Sequence, residues 1–186
     1  MSEAWSRAAA ALEAHLAGAF EALDANLASA AAALDFRPAA GAWSIREIGE
    51  HVTLVDHFLL VLADKIARKS LRRVARGDAW PVGEPRFEHL ARLARRELRW
   101  PHPEHMAPTG EPDVAAIRAR LSADLGRCQA LLAELPRGEG TLHRIRMSVV
   151  EGDDRLDLYQ FLEVIALHAQ RHARQMARNL GGWRSE

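Results

Sequence analysis

The sequence predicts an all-α fold, most simply a four-helix bundle. Alanine, the strongest helix former, is abundant, whereas aromatic residues make up only 6% of the 186 residues. Four long segments place apolar residues at steps of three and four, the spacing that one face of a helix requires. Amphipathic helices of this number and length make a bundle the leading architecture.

We expect one bundle domain over residues 1–186, which is long enough to bury a sizeable core. The predicted helices cover about residues 3–34, 44–76, 111–135 and 156–180. No internal repeat or domain linker is evident.

Helix 1 is an alanine-rich segment without proline, and it ends before Pro38 and Gly41. Its apolar face consists of Leu12, Leu16, Phe20, Leu23 and Leu27.

Helix 2 begins at a capping box, in which the Ser44 hydroxyl accepts a backbone N–H and Glu47 reaches back to the cap residue. His51 lies on its predicted apolar stripe, together with Ile48, Val55, Phe58, Leu62 and Ile66.

Helix 3 opens near Glu111, with Pro112 and Asp113 in its first turn, and Pro136 ends it. Cys128 on its apolar face is expected to be a small core residue. Residues Thr141 to Val150 alternate in a β-like way and predict an extended connection, with EGDD after them as a turn.

Helix 4 carries the most unusual pattern. Its stripe of Leu158, Phe161 and Ile165 continues at the same spacing onto His168, His172 and Gln175. Two histidines therefore occupy core-facing positions, where each ring has two nitrogens to satisfy. One reading is a pair of hydrogen-bonded core histidines. The other is a metal site that also takes His51 from helix 2.

The depths of the three histidines predict how the helices run. If helices 2 and 4 are antiparallel, the rings of His51, His168 and His172 come to a similar depth. Helices 2 and 3 must then be parallel, which needs a crossover as long as a helix. The proline-containing connection from Gly77 to Gly110, with one possible helix from Arg86 to Leu98, is long enough.

Three neutral imidazoles leave at least one coordination position open, as in a catalytic rather than a closed structural zinc site. Zinc, nickel or iron would accept such ligands. The ion could activate a water or a thiolate, or polarise a carbonyl. No Glu-x-x-His or HExxH motif, phosphate loop or GxSxG elbow points to a rival site.

The charge balance and the cysteine content limit the partners and the cellular compartment that we expect. Lysine plus arginine and aspartate plus glutamate number 25 each, so we expect neither nucleic acid nor a membrane as a partner. The single cysteine excludes an intrachain disulfide and fits a reducing compartment. With no signal sequence or membrane-spanning run recognised, the expected location is the cytoplasm.

Two motifs carry a resemblance to a known family. WSIREIGEH, from Trp43 to His51, and HAQRHARQ, from His168 to Gln175, together resemble the DinB-like superfamily, which includes the YfiT-like metal-dependent hydrolases. The resemblance covers nearly the whole chain.

The resemblance implies an up-down-down-up bundle, often a homodimer, that holds one divalent metal through His51, His168 and His172. Zinc or nickel is the expected ion, with iron and manganese as alternatives. Some members resemble thiol S-transferases or thiol-dependent isomerases, so the expected partner is a small-molecule substrate, such as a thiol.

Several roles stay open. Glu47 precedes His51 by one turn and could support the site, although the capping box explains it already. Gln175 shares the site face and could orient a ligand, whereas Arg171 is expected to point away. His102 and His105 could overhang the open metal position from the crossover. The functional alternatives are a metal-dependent hydrolase or thiol transferase, a non-catalytic metal-binding or stress-related protein, and a bundle with incidental histidines.

Overall fold

Four long helices dominate the computed structural model, which describes residues 3–79, 86–94, 104–147 and 155–185. They are α1 (Glu3–Ser29), α2 (Ile45–Ala75), α3 (Val114–Glu134) and α4 (Leu158–Trp183). The predicted all-α four-helix bundle is confirmed.

Side-chain caps set the start of three helices. The capping box of Ser44 and Glu47 at α2 is confirmed, and Asp157 with Gln160 forms a second one at α4. Asp113 is the N-cap of α3 and accepts a hydrogen bond from the amide of Ala116. The prediction that α3 already includes Glu111 and Pro112 was therefore wrong.

The predicted ends of two helices also need correction. α1 ends at Ser29 rather than near Leu34, because the chain tightens into turns in which the Ala33 amide donates to the Ala30 carbonyl. α4 continues past Leu180 to Trp183. Both differences lie at helix ends, where sequence signals are weakest.

α2 and α4 pack side by side in opposite directions. At one end, Asn179 near the end of α4 donates to the Trp43 carbonyl, which lies just before α2, at 3.0 Å. At the other end, Ser70 near the end of α2 lies 3.5 Å from the carbonyl oxygen of Gly140, which packs against the start of α4.

The other contacts complete the topology. α2 and α3 run parallel, since His57 pairs with Arg120 and, two turns later, Asp64 pairs with Arg127. α1 runs parallel to α4 and packs against both α3 and α4. Its contacts with α4 include His15 to Glu163 and Asn26 to the Ala173 carbonyl. The order is up-down-down-up, as predicted.

The apolar core joins all four helices, and the predicted faces of α1 and α3 supply much of it. On α2 the predicted stripe was wrong at Phe58, which is 38% exposed, while Leu59, Leu60 and Ala63 are buried. At about 100° per residue, Phe58 lies about 80° around the helix from Ile48, at the edge of the buried face, whereas Leu59 lies only about 20° from Ile48.

The described parts of the crossover contain two short 3₁₀ segments, Glu88–Ala94 and Glu104–Met106. The first replaces part of the helix predicted from Arg86 to Leu98, and residues 95–98 lie outside the described residues. Its Leu90 and Leu93 are fully buried and anchor this part of the chain against α4.

The connection before α4 is only partly extended. A 3₁₀ segment, Glu139–Leu142, occupies the start of the predicted extended stretch. Strand β1 (Ile145–Arg146) then pairs antiparallel with β2 (Arg155–Leu156). The predicted EGDD turn lies outside the described residues. None of the helices in the described ranges combines the length and apolar character needed to cross a membrane.

Gly140 lies so close to the start of α4 that it leaves no room for a side chain, and a substitution can test this. A Cβ added there would lie 2.9 Å from Leu158 Cβ and 2.9 Å from a ring carbon of Tyr159. Tyr159 cannot retreat freely, because its hydroxyl accepts from the amides of Gly138 and Gly140 and donates to the Leu135 carbonyl.

We therefore expect Gly140→Ala to lower the free energy of unfolding by roughly 1–3 kcal/mol, measured by urea denaturation. The matched control is Gly126→Ala on α3, where nothing lies within 4 Å of the added methyl group. That change should raise stability by about 0.5–1 kcal/mol, since alanine favours the helix. Equal effects of the two substitutions would contradict this packing argument.

Candidate metal centre

Three buried histidines meet in the core between α2 and α4. His51 comes from the second turn of α2, and His168 and His172 come from successive turns of α4. Their side chains offer one potential ligand nitrogen each, and these nitrogens all lie within 4.8 Å of one another. The antiparallel packing of the two helices thus brings together the three histidines that the sequence singled out.

The rings also contact one another edge to face. The centroids of His168 and His172 are 4.5 Å apart, and that of His51 lies 5.5 Å and 5.0 Å from them. The Trp43 ring packs 4.6 Å from His51 and covers one side of it. Each ring is thereby held in a defined orientation.

A backbone carbonyl orients His51. Its Nδ1 lies 2.9 Å from the Met106 carbonyl oxygen, which can only accept, so Nδ1 carries the proton and Nε2 is left with its lone pair. This is the usual arrangement for a metal-binding histidine, whose second nitrogen donates to a fixed acceptor.

Glu50 fixes the loop that carries Met106. Its buried carboxylate accepts hydrogen bonds from the Thr109 amide at 2.9 Å, the Thr109 hydroxyl at 2.8 Å and the Gly110 amide at 2.7 Å. The end of the crossover is therefore attached to α2 beside His51. The sequence did not point to Glu50 or Met106, because neither a loop carbonyl nor the side chain that holds the loop in place has a characteristic sequence pattern.

Gln175 orients His172. Its Oε1 lies 3.0 Å from His172 Nδ1, so the amide accepts the ring proton and Nε2 of His172 is left with its lone pair. The two residues are three positions apart on α4 and therefore share a face. Their shared face was the sequence signal for this contact.

An unanticipated acid lies beside His168. Asp56 Oδ1 on α2 is 3.8 Å from His168 Nδ1. Asp56 is fully buried, and neither of its carboxyl oxygens has a hydrogen-bond partner in the part of the chain that the structure describes. Burial raises the pKa of Asp56 well above its ordinary value, opposed by the charge of Arg120. The sequence contained a signal for this, because Asp56 is an acid at helical spacing from Val52 and Leu59 on the apolar face.

Burial keeps the α4 histidines neutral. It lowers the pKa of His168 to about 3, helped by the nearby His51 and Arg171. Burial likewise lowers the pKa of His172 well below its usual value, with further contributions from His168 and His51. Neutral imidazole is the form that binds a metal ion, so these residues fit one at neutral pH.

Three of the remaining candidates from the sequence, Glu47, His105 and Arg171, lie among the described residues. The Glu47 carboxylate accepts from the Ser44 amide at 2.8 Å, within the helix cap, and also from Arg37 at 2.6 Å. His105 is exposed and packs against the Phe58 ring at 4.9 Å. Arg171, expected to point away, is half-buried, and its charge reaches both α4 histidines. His102 lies outside the described residues.

The core near Asp56 contains a second buried acid, Asp124 on α3. Burial, together with the charge of Asp56, raises the pKa of Asp124 to about 6 from 3.8. The folded state thus binds this proton more tightly than the unfolded chain. The resulting stabilisation is complete below about pH 3.8 and is lost as the pH rises through about 6.

In the metal-free protein, the stability of Asp124→Asn relative to that of wild type should therefore increase as the pH rises from about 4 to 7. The gain should reach on the order of 2–3 kcal/mol relative to wild type, since one pKa unit corresponds to about 1.4 kcal/mol. Urea denaturation across this range measures it.

Asp24 provides a control of opposite sign, because its hydrogen bond to Arg118 lowers the pKa of its carboxyl. Asp24→Asn should lose stability, not gain it, above about pH 4. Parallel pH profiles for wild type and Asp124→Asn would refute the burial argument.

Comparison with known proteins identifies the family. Residues 3–176 match the family model of the DinB superfamily, so the match spans nearly the whole chain. No curated protein and no solved structure matches the sequence significantly. The matched range contains the three converging histidines, Asp56 and Gln175. The chain belongs to the DinB superfamily.

Proposed function

We propose that this protein binds one divalent metal ion through His51, His168 and His172 and uses it in a hydrolysis or a thiol-dependent group transfer. The observation that carries the proposal is the convergence of three potential ligand nitrogens within 4.8 Å in a buried site. Three histidines from two helices have no packing reason to meet there, because each buried imidazole needs partners for two nitrogens.

The surroundings support metal binding by the Nε2 atoms. Met106 and Gln175 accept the Nδ1 protons of His51 and His172, which leaves the lone pair of Nε2 in each ring as the potential ligand. The lowered pKa values of His168 and His172 remove competition from protons near neutral pH. Zinc or nickel suits an all-imidazole set best, and iron or manganese are alternatives.

When bound, the ion supplies Lewis acidity, which activates a thiol or polarises a carbonyl of a small-molecule substrate. The protein's own contribution is to hold and orient the three rings and to limit water. The histidines are only 2–7% exposed, and the loop attached by Glu50 covers His51. Three protein ligands leave room for a substrate atom, unlike a closed structural site.

The deep burial of the same three rings also favours a second candidate, a non-catalytic metal-binding protein, for example one involved in stress. Among the described residues, the group of potential ligand atoms consists of the three histidines alone, without a carboxylate. Turnover separates this candidate from the first.

Metal binding is tested with purified protein and single substitutions. Wild type should retain about one equivalent of Zn²⁺ or Ni²⁺ after dialysis, measured by elemental analysis, since three imidazoles suffice for a stable site. Metal affinity should fall in each of His51→Ala, His168→Ala and His172→Ala. The loss should exceed the roughly 10- to 100-fold that is typical when a residue that only contacts a ligand is removed.

His57→Ala is the matched control, because His57 is exposed on the same helix as His51 and pairs with Arg120 at 3.1 Å. It should keep the metal. Metal should also raise the stability of wild type, by about 2.7 kcal/mol at a free concentration 100 times the dissociation constant. Metal retention by all three site variants would disprove the ligand assignment.

Catalysis is tested with the metal-loaded protein on ester, amide and thiol-conjugation substrates. We expect turnover of at least one class by loaded wild type, none above background by His51→Ala, and near wild-type rates for His57→Ala. Absence of turnover throughout, with full metal occupancy, would favour the non-catalytic candidate.

A further inference from the structure

Two of the three histidines in the cluster have a hydrogen-bond acceptor at Nδ1. His51 has the Met106 carbonyl and His172 has the Gln175 amide, at 2.9 Å and 3.0 Å. At the corresponding nitrogen of His168, the nearest charged group given by the structure is Asp56, with Oδ1 at 3.8 Å. The carboxylate thus lies at the place that the carbonyl and the amide occupy beside the other two rings.

The Asp56 carboxyl has no other role visible among the described residues. It is fully buried, and neither oxygen has a hydrogen-bond partner there. Arg120, whose charge acts on Asp56, is already paired with Asp124 at 3.1 Å and with His57 at 3.1 Å. A buried carboxyl without partners is costly, so its presence needs an explanation.

A divalent ion on the opposite side of the His168 ring would explain it. The ion makes the Nδ1–H of a bound imidazole a stronger donor, and a carboxylate is a common acceptor for such histidines. The separation of 3.8 Å is beyond hydrogen-bond length, but a small rotation of the unpartnered carboxyl would close it. The negative charge would also offset part of the ion's charge in a site that excludes water.

We propose that Asp56 is a positioning residue, which accepts the Nδ1 proton of His168 and supplies one negative charge to the metal-loaded site. This inference rests on the proposed metal binding. The three ligands would then have three different acceptors, a carbonyl, an amide and a carboxylate, of which only the carboxylate is charged. Asp56 therefore has the largest electrostatic effect on affinity of the three.

The test compares Asp56→Asn with Asp124→Asn. Both remove a buried carboxyl from the same core, but only Asp56 contacts a histidine of the cluster. Asp56→Asn should weaken Zn²⁺ binding by roughly 10- to 100-fold, measured by competition with a chromophoric chelator. Asp124→Asn should stay close to wild type. Neither variant should melt below wild type without metal, since a neutral amide costs less to bury than a carboxylate.

A second readout needs no metal. Nitrogen NMR of the metal-free protein reports which nitrogen of His168 carries the proton. We expect one tautomer to dominate in wild type and a mixture of both tautomers in Asp56→Leu, which removes the carboxyl but retains the volume of the side chain. An unchanged tautomer would overturn the orienting role.

Zinc affinity of Asp56→Asn equal to that of wild type would also overturn the inference, as would an equal loss in Asp124→Asn, which would indicate a nonspecific charge effect. If wild type itself binds no Zn²⁺ or Ni²⁺, the proposed metal-binding function fails and the metal-loaded role of Asp56 fails with it. The tautomer measurement then shows whether Asp56 still orients His168.

Discussion

The antiparallel contact between α2 and α4 is the constraint on which the rest of this structure depends. Only this direction brings an early residue of α2, His51, to the depth of His168 and His172 in α4. It makes α2 and α3 parallel, and parallel neighbours in sequence need a crossover that returns along the bundle. The long connection between them is therefore a consequence of the site geometry as well as of the fold.

The same desolvation acts with opposite effect on the bases and acids of the core. Burial disfavours charge, so it lowers the pKa of His168 and His172 and raises the pKa of Asp56 and Asp124. For the histidines this maintains the neutral form that binds metal. For the acids it is a cost to stability at neutral pH, and a divalent ion in the cluster would offset part of that cost at Asp56.

The crossover contributes to the site through its backbone. Glu50 holds Thr109 and Gly110, and this attachment brings the Met106 carbonyl to His51. One buried carboxylate at the start of α2 thus links the end of the crossover to the orientation of a candidate ligand.

The sequence by itself determined the helices, their order and the three histidines, because helical spacing and capping are local properties. Phe58 was misplaced, because an alternation of three- and four-residue steps also reaches the edge of the apolar face, where a side chain is exposed. Only the tertiary structure decided the surroundings of each ring. Met106 meets His51 across 55 positions of sequence, and Asp56 meets His168 across two helices. Such contacts depend on packing distances between elements, which no local pattern encodes.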